Sequence, residues 1–108
     1  KDIIITGGLN VFPAEVENVL LRHTDVMEAA VVGAADEKRG EVLLAFVVQR
    51  DGVPLNEKEL LKHCRERLAD FKVPKRIDFH ESLPREDSGK IFKRRLRDPF
   101  WQNAGRKI

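Results

Sequence analysis

The sequence predicts an α+β domain, a small mixed sheet of about three core strands flanked by helices and preceded by a glycine-turn hairpin. Three observations carry this. Residues 26–32 and 42–48 are apolar at nearly every position, the pattern of strands covered on both faces. Residues 13–22 and 56–69 place apolar side chains three and four apart, the spacing of a helix with one buried face. Between two β-branched or extended runs stands the pair Gly7-Gly8, which breaks a strand and reverses it.

Taken in order, Ile3, Ile4 and Ile5 are extended, Thr6-Gly7-Gly8 turns, and Leu9-Asn10-Val11-Phe12 returns, so residues 2–12 form a hairpin. Pro13 suits a first helical position because its missing N–H would have no partner there, and Glu15 and Glu17 lie favourably against the positive end of the helix dipole. Val16, Val19, Leu20 and His23 follow on one face, with His23 read as an end cap or a core neighbour. Asp36-Glu37-Lys38-Arg39-Gly40-Glu41 is a polar turn between the two apolar strands. Asn56 followed by Glu59 resembles a capping box, and Leu60, Leu61, Cys64, Leu68 and Phe71 trace a stripe on the second helix. Cys64 lies in that stripe and is read as a buried, inert thiol. Pro74 stops the segment, and residues 76–80 alternate as a third core strand. Residues 92–97 form a short basic helix, and Phe100 and Trp101 anchor a tail, 99–108, that has no periodicity.

Composition narrows the function classes. With 42% apolar and 35% charged residues the chain is globular, and no apolar run approaches the ~20 residues a bilayer crossing needs. A single cysteine forms no internal disulfide, consistent with a reducing, cytoplasmic setting. His23, His63 and His80 are scattered without a second cysteine, so no metal site is predicted. Basic residues gather between Lys72 and Arg97, which suggests an anionic partner, although charge runs are also common on plain solvated surfaces.

The segment that draws attention is Leu83-Pro84-Arg85-Glu86-Asp87-Ser88-Gly89-Lys90-Ile91. Pro84 biases Leu83 toward extended geometry and Gly89 permits backbone angles closed to other residues, so the loop leaves a strand, turns and projects Lys90. It is not a Walker phosphate loop, because Pro84 stands where the first glycine belongs and Ile91 where the hydroxyl belongs. Leu-Pro, a variable stretch, Ser-Gly-Lys and a basic helix instead resemble the last signature motif of the adenylate-forming superfamily, which includes acyl-CoA synthetases, peptide-synthetase adenylation domains and firefly-type luciferases. At the other end, Lys1-Asp2-Ile3-Ile4-Ile5-Thr6-Gly7-Gly8-Leu9-Asn10-Val11-Phe12-Pro13 resembles that superfamily's hinge-and-loop motif, and Phe71-Lys72-Val73-Pro74-Lys75 is similar to a run in its CoA ligases.

The resemblance, over residues 1–98, implies the C-terminal domain of an ATP-dependent acyl-CoA synthetase, excised from a large N-terminal AMP-binding domain. It implies that Lys90 is the adenylation lysine, with Pro84, Ser88 and Gly89 supporting its loop. It further implies that Lys1 is the hinge and that Gly7, Gly8 and Asn10 line the pantetheine channel after the domain rotates. ATP and CoA are then substrates, with Mg2+ held mainly by the absent domain. The acid is fatty or aromatic, a lysine acetyltransferase acting on Lys90 is a possible partner, and the 108 residues alone are expected to be inactive. Ile5 stands where many members carry a lysine. Other readings stay open: another superfamily branch, a docking module, or a ferredoxin-like nucleic-acid module. The last needs stacking aromatics where this chain has Glu41 and Leu43.

Overall fold

The computed structural model describes residues 2–52 and 54–101. The hinge position Lys1 and the tail beyond Trp101 lie outside the described residues. The elements are β1 (Ile4–Thr6), β2 (Leu9–Val11), α1 (Pro13–Leu21), β3 (Val26–Asp36), β4 (Gly40–Gln49), α2 (Glu57–Arg65), β5 (Arg76–Phe79) and α3 (Lys93–Arg97).

One mixed sheet of five strands organises them, with β4 at its centre. On one side β4 pairs with β3 through a long antiparallel register from Val26↔Gln49 to Asp36↔Gly40. On the other it pairs in parallel with β5 from Leu44↔Arg76 to Val47↔Phe79, and it meets the β1–β2 hairpin at Thr6↔Gly40. The hairpin is therefore an extension of the sheet, so the strands outnumber the three predicted from periodicity.

The continuous apolar runs of β3 and β4 are explained by two apolar layers. Ala29, Val31, Leu43, Ala45 and Val47 pack with Val16, Leu20, Leu60 and Cys64 under α1 and α2. Their sequence neighbours Ala30, Val32, Leu44, Phe46 and Val48 face the other way, onto Leu83 and Leu96. A period of two along each strand sends alternate side chains to opposite layers. Burial pushes the Cys64 thiol up to about 11, which keeps it protonated and unreactive.

β1, β3 and β5 each carry a backbone donor that no strand satisfies, and glutamates meet them. Glu17 accepts from the Val31 N–H at 2.9 Å, Glu57 from Ile77 at 2.9 Å and Glu41 from Ile5 at 2.9 Å. Glu17, expected to serve the helix dipole, thus serves the sheet instead; Glu15 alone is in the first turn. Asn56 caps α2 by accepting from the Glu59 N–H at 2.7 Å, while the Glu59 carboxylate lies 3.6 Å from His23 rather than closing a reciprocal box. His23 packs edge-on to His63, with ring centres 5.1 Å apart.

The predicted second helix is too long. It ends at Arg65, and Leu68 and Phe71 reach the same layer from the turn and the short 3-10 helix Asp70–Lys72 that follow. Phe100 packs near Phe46 with ring centres 6.3 Å apart, and the Trp101 indole N–H donates to the Gly33 carbonyl at 2.8 Å. Among the described residues no helix is long and apolar enough to cross a membrane.

Candidate functional site

The lysine loop is a tight hairpin. Arg85 and Ile91 pair as an antiparallel bridge, the Glu86 N–H donates to the Lys90 carbonyl at 2.8 Å, and the Gly89 N–H donates to the Glu86 carbonyl at 2.9 Å. That is a three-residue loop closed by a glycine bulge, and the bulge position needs positive φ. Gly89 supplies it at φ +94. Upstream, Leu83 is buried in the layer opposite α1 and α2, so the loop is rooted in the core by its first residue. Pro84 accepts from the Phe92 N–H at 2.8 Å through its carbonyl, closing the base. Ser88 Oγ lies 3.5 Å from a Glu86 carboxylate oxygen, a long contact within the turn.

Lys90 is exposed at the exit of this loop, and its ammonium has no hydrogen bond or ion pair among the described residues. Several other basic residues differ. Lys72 pairs with Glu15 at 3.0 Å, Arg76 with Asp78 at 3.1 Å, Arg85 with Glu28 at 3.0 Å and Lys93 with Asp2 and Glu17, each at 2.7 Å. Part of the basic excess read from the sequence is thus neutralised inside the domain, whereas Lys90, like Arg94 and Arg97 on α3, has no ion pair among the described residues.

Arg85 braces the loop. Its guanidinium donates to the Gly89 carbonyl at 2.9 Å while the other end of the fork pairs with Glu28 on β3. Arg85→Met keeps the aliphatic stem and removes both contacts. The Arg85 side chain is half-exposed, so its hydrogen bond to Gly89 contributes at the low end of about 0.5–1.5 kcal/mol, while the Glu28 oxygen it faces is buried, makes no hydrogen bond and is held by charge alone. Hydrogen exchange at Glu86 and Gly89 should accelerate by up to about tenfold. Unchanged exchange would mean that the turn holds itself.

The second candidate site is the hairpin turn. Gly7 at φ +57 and Gly8 at φ +83 supply the two positive angles of a two-residue turn between β1 and β2. A Cβ at either position would meet nothing within 4 Å in this domain, so the glycines are required by backbone angle, not by crowding here. The turn is exposed, and the Gly7 N–H donates to the Arg39 carbonyl at 2.8 Å. Asn10, on β2 opposite Ile5, is also exposed.

Beside the turn lies a concavity of about 380 Å³ lined by Thr6, Phe71, the basic Lys38, Arg39 and Lys75 and the acidic Asp36 and Asp70, with Lys75 3.9 Å from Asp36. Its basic residues come from the β3–β4 turn and from the stretch before β5, which meet because the Lys75 N–H donates to the Leu43 carbonyl at 2.8 Å. This grouping depends on the parallel pairing of β5 and is invisible in the linear sequence. Lys90 lines a different groove, shared with Asp2 and Lys93, so the lysine loop and the glycine turn are two separate surfaces. Among the described residues no three His, Cys, Asp or Glu side chains are grouped to hold a metal ion. The nucleic-acid alternative loses its platform, because Leu43 is buried and Glu41 is engaged by the Ile5 N–H.

Comparison with known proteins places this geometry. Residues 15–90 match the family model described as AMP-binding enzyme C-terminal domain. The chain is 53% identical over 98 residues to a methyl-dioxo-octahydroindenyl propanoyl:CoA ligase of Rhodococcus jostii, covering 91% of this chain and 19% of that protein. It is 49% identical over 108 residues to the fatty acid–acyl-carrier-protein ligase ScoC of Streptomyces coeruleorubidus, covering 100% of this chain and 21% of that one. The crystal structure of apo MatB from Rhodopseudomonas palustris superposes with a TM-score of 0.89 at 38% identity, over 96% of this chain and 21% of that chain. The chain thus spans about a fifth of the length of these relatives. With residues 15–90, Lys90 among them, inside the matched family model and 96% of the chain superposing on a solved structure, this chain belongs to the family of AMP-binding enzyme C-terminal domains.

Proposed function

We propose that this domain serves an ATP-dependent acyl-CoA synthetase and that Lys90 acts in the first of two half-reactions. A substrate carboxylate oxygen attacks the α-phosphorus of ATP; the bond from that phosphorus to the bridging oxygen breaks and pyrophosphate leaves. The CoA sulfur then attacks the acyl carbon, gives up its proton, and the bond to AMP breaks to leave a thioester. In the first step two anions must approach, and negative charge grows on the departing pyrophosphate. A mobile cation delivered to that point stabilises the transition state more than the separated substrates.

The observation that carries this reading is the condition of Lys90: exposed, unpaired among the described residues, and held at the end of a loop whose backbone is closed by its own hydrogen bonds. A compact ammonium on a flexible stem suits a phosphate as a point charge. The cleft it enters, with the acid pocket and the Mg2+ that accompanies ATP, belongs to the larger N-terminal part of the enzyme. The acid is of the fatty or aromatic type that the relatives' names point to. For the second half-reaction the domain rotates about Lys1 and presents Gly7, Gly8 and Asn10 to the pantetheine arm. Lys38 and Arg39 in the concavity beside that turn suit the phosphates of CoA. Acetylation of Lys90 would remove its charge and silence the first half-reaction. A cytoplasmic setting follows from the availability of ATP and CoA there.

The test is a screen of carboxylic acids with the full-length enzyme, following AMP and thioester together. One AMP per CoA thioester is expected with at least one fatty or aromatic acid. AMP release that needs an acyl-carrier protein in place of CoA, or an absence of acid-dependent AMP with every acid, would overturn the CoA assignment.

A further inference from the structure

The ammonium of Lys93 draws three parts of the domain together. It lies 2.7 Å from Asp2, which precedes β1, and 2.7 Å from Glu17 on α1, and the same Glu17 oxygen accepts the Val31 N–H of β3 at 2.9 Å. Lys93 itself opens α3, two residues after the hairpin that ends at Ile91. Burial on its own would lower the pKa of this lysine, but the hydrogen bonds it donates to Asp2 and Glu17 outweigh it and raise the value, so the clamp is charged.

α3 is only five residues long, and its start has no side-chain cap. A helix that short does not hold itself in water. Two side chains fix it: Leu96, buried against the sheet, and Lys93. Asp2, Lys90 and Lys93 line one groove, so the stretch leading into the domain and the lysine loop lie side by side. In a C-terminal domain that leading stretch is where the rest of the enzyme attaches.

We propose that Lys93 is a positioning residue for adenylation: by binding Asp2 and Glu17 it makes the leading stretch, α1 and the Lys90 loop move as one rigid lever. Rotation of the leading stretch is then transmitted to Lys90 without slack. The inference rests on the reading of Lys90 given above. Its physical content is that a misplacement of about 1 Å at a reacting group can cost ~10²-fold in rate, whereas the thioester step does not use the Lys90 loop.

The experiment uses the full-length enzyme carrying this domain, with Lys93→Met, Lys93→Arg and Asp2→Asn, and Lys90→Ala run in parallel. Pyrophosphate release should fall about 10–100-fold in Lys93→Met, as a loss of kcat with little change in KM. Thioester formation from supplied acyl-adenylate should stay within about twofold, and Lys93→Arg should recover most of the loss by keeping the charge between the two acids. Asp2→Asn leaves the Lys93–Glu17 pair in place, so it preserves the fold and decides the matter should Lys93→Met fail to fold. It should reduce pyrophosphate release in the same direction by a smaller factor. Equal loss in both half-reactions would make Lys93 merely structural and overturn the proposal. So would unchanged pyrophosphate release in Lys93→Met and Asp2→Asn while Lys90→Ala abolishes it, which would leave the reading of Lys90 intact. Unchanged release in Lys90→Ala would overturn that reading itself.

Discussion

Lys90→Ala in the full-length enzyme should lower pyrophosphate release by about 10²–10³-fold, the usual loss when one preorganised electrostatic contact to a transition state is removed. Thioester formation from supplied acyl-adenylate should change by less than about threefold, because no phosphorus bond breaks in that step. The asymmetry follows from where the side chain sits. It is exposed and has no partner among the described residues, so its removal leaves no buried group unsatisfied and no packing defect in this domain. Folding stability measured alongside should therefore shift by no more than about 0.5 kcal/mol. Lys90→Gln, which mimics the neutral acetylated side chain, should behave as Lys90→Ala does. Equal loss in both half-reactions, or a large drop in stability, would refute the assignment.

The largest effect on folding should come from Leu60→Ala. Leu60 is fully buried on α2, in the layer it shares with Leu20, Cys64 and Ile77. Truncation of such a side chain removes transfer free energy and leaves a cavity, costing about 2–5 kcal/mol. Against a total of about 5–15 kcal/mol for an ordinary domain, that is a large share. Urea denaturation of this chain should show a lower midpoint at unchanged slope. Leu21, on the outward face of α1 and 45% exposed, is the control: Leu21→Ala should cost at most about 0.5 kcal/mol. A cost for Leu60→Ala as small as the control's would mean that the α2 layer is not packed as found.

Some of this was legible in the residues and some was not, for identifiable reasons. The long apolar runs of β3 and β4 announce strands covered twice, because no other arrangement consumes apolar side chains at every position. Pro13, Asn56 and the Gly7-Gly8 pair act through their own backbone chemistry, so they mark a helix start, a cap and a turn wherever they stand. The end of α2 was misread because Leu68 and Phe71 keep helical spacing while the chain has already left the helix. Periodicity reports which side chains return to a layer, and a turn can return them as well as a helix can. The sequence was also silent on which cations are free. Arg85 and Lys90 look alike in the sequence, but Arg85 finds Glu28 on a strand remote in sequence and Lys90 finds nothing comparable. The direction of β5, and with it the concavity beside the glycine turn, depends on a crossover that no local pattern encodes.

The hydrogen bond from Trp101 to Gly33 has an optical consequence. The chain holds one tryptophan and no tyrosine, so nearly all of its near-ultraviolet emission comes from a single indole tethered to the backbone of β3. When the stretch after α3 peels off the sheet, that ring passes from a half-buried berth into water, and its emission moves to longer wavelength. The domain therefore carries its own intrinsic probe of whether its C-terminal end is docked, readable without a dye.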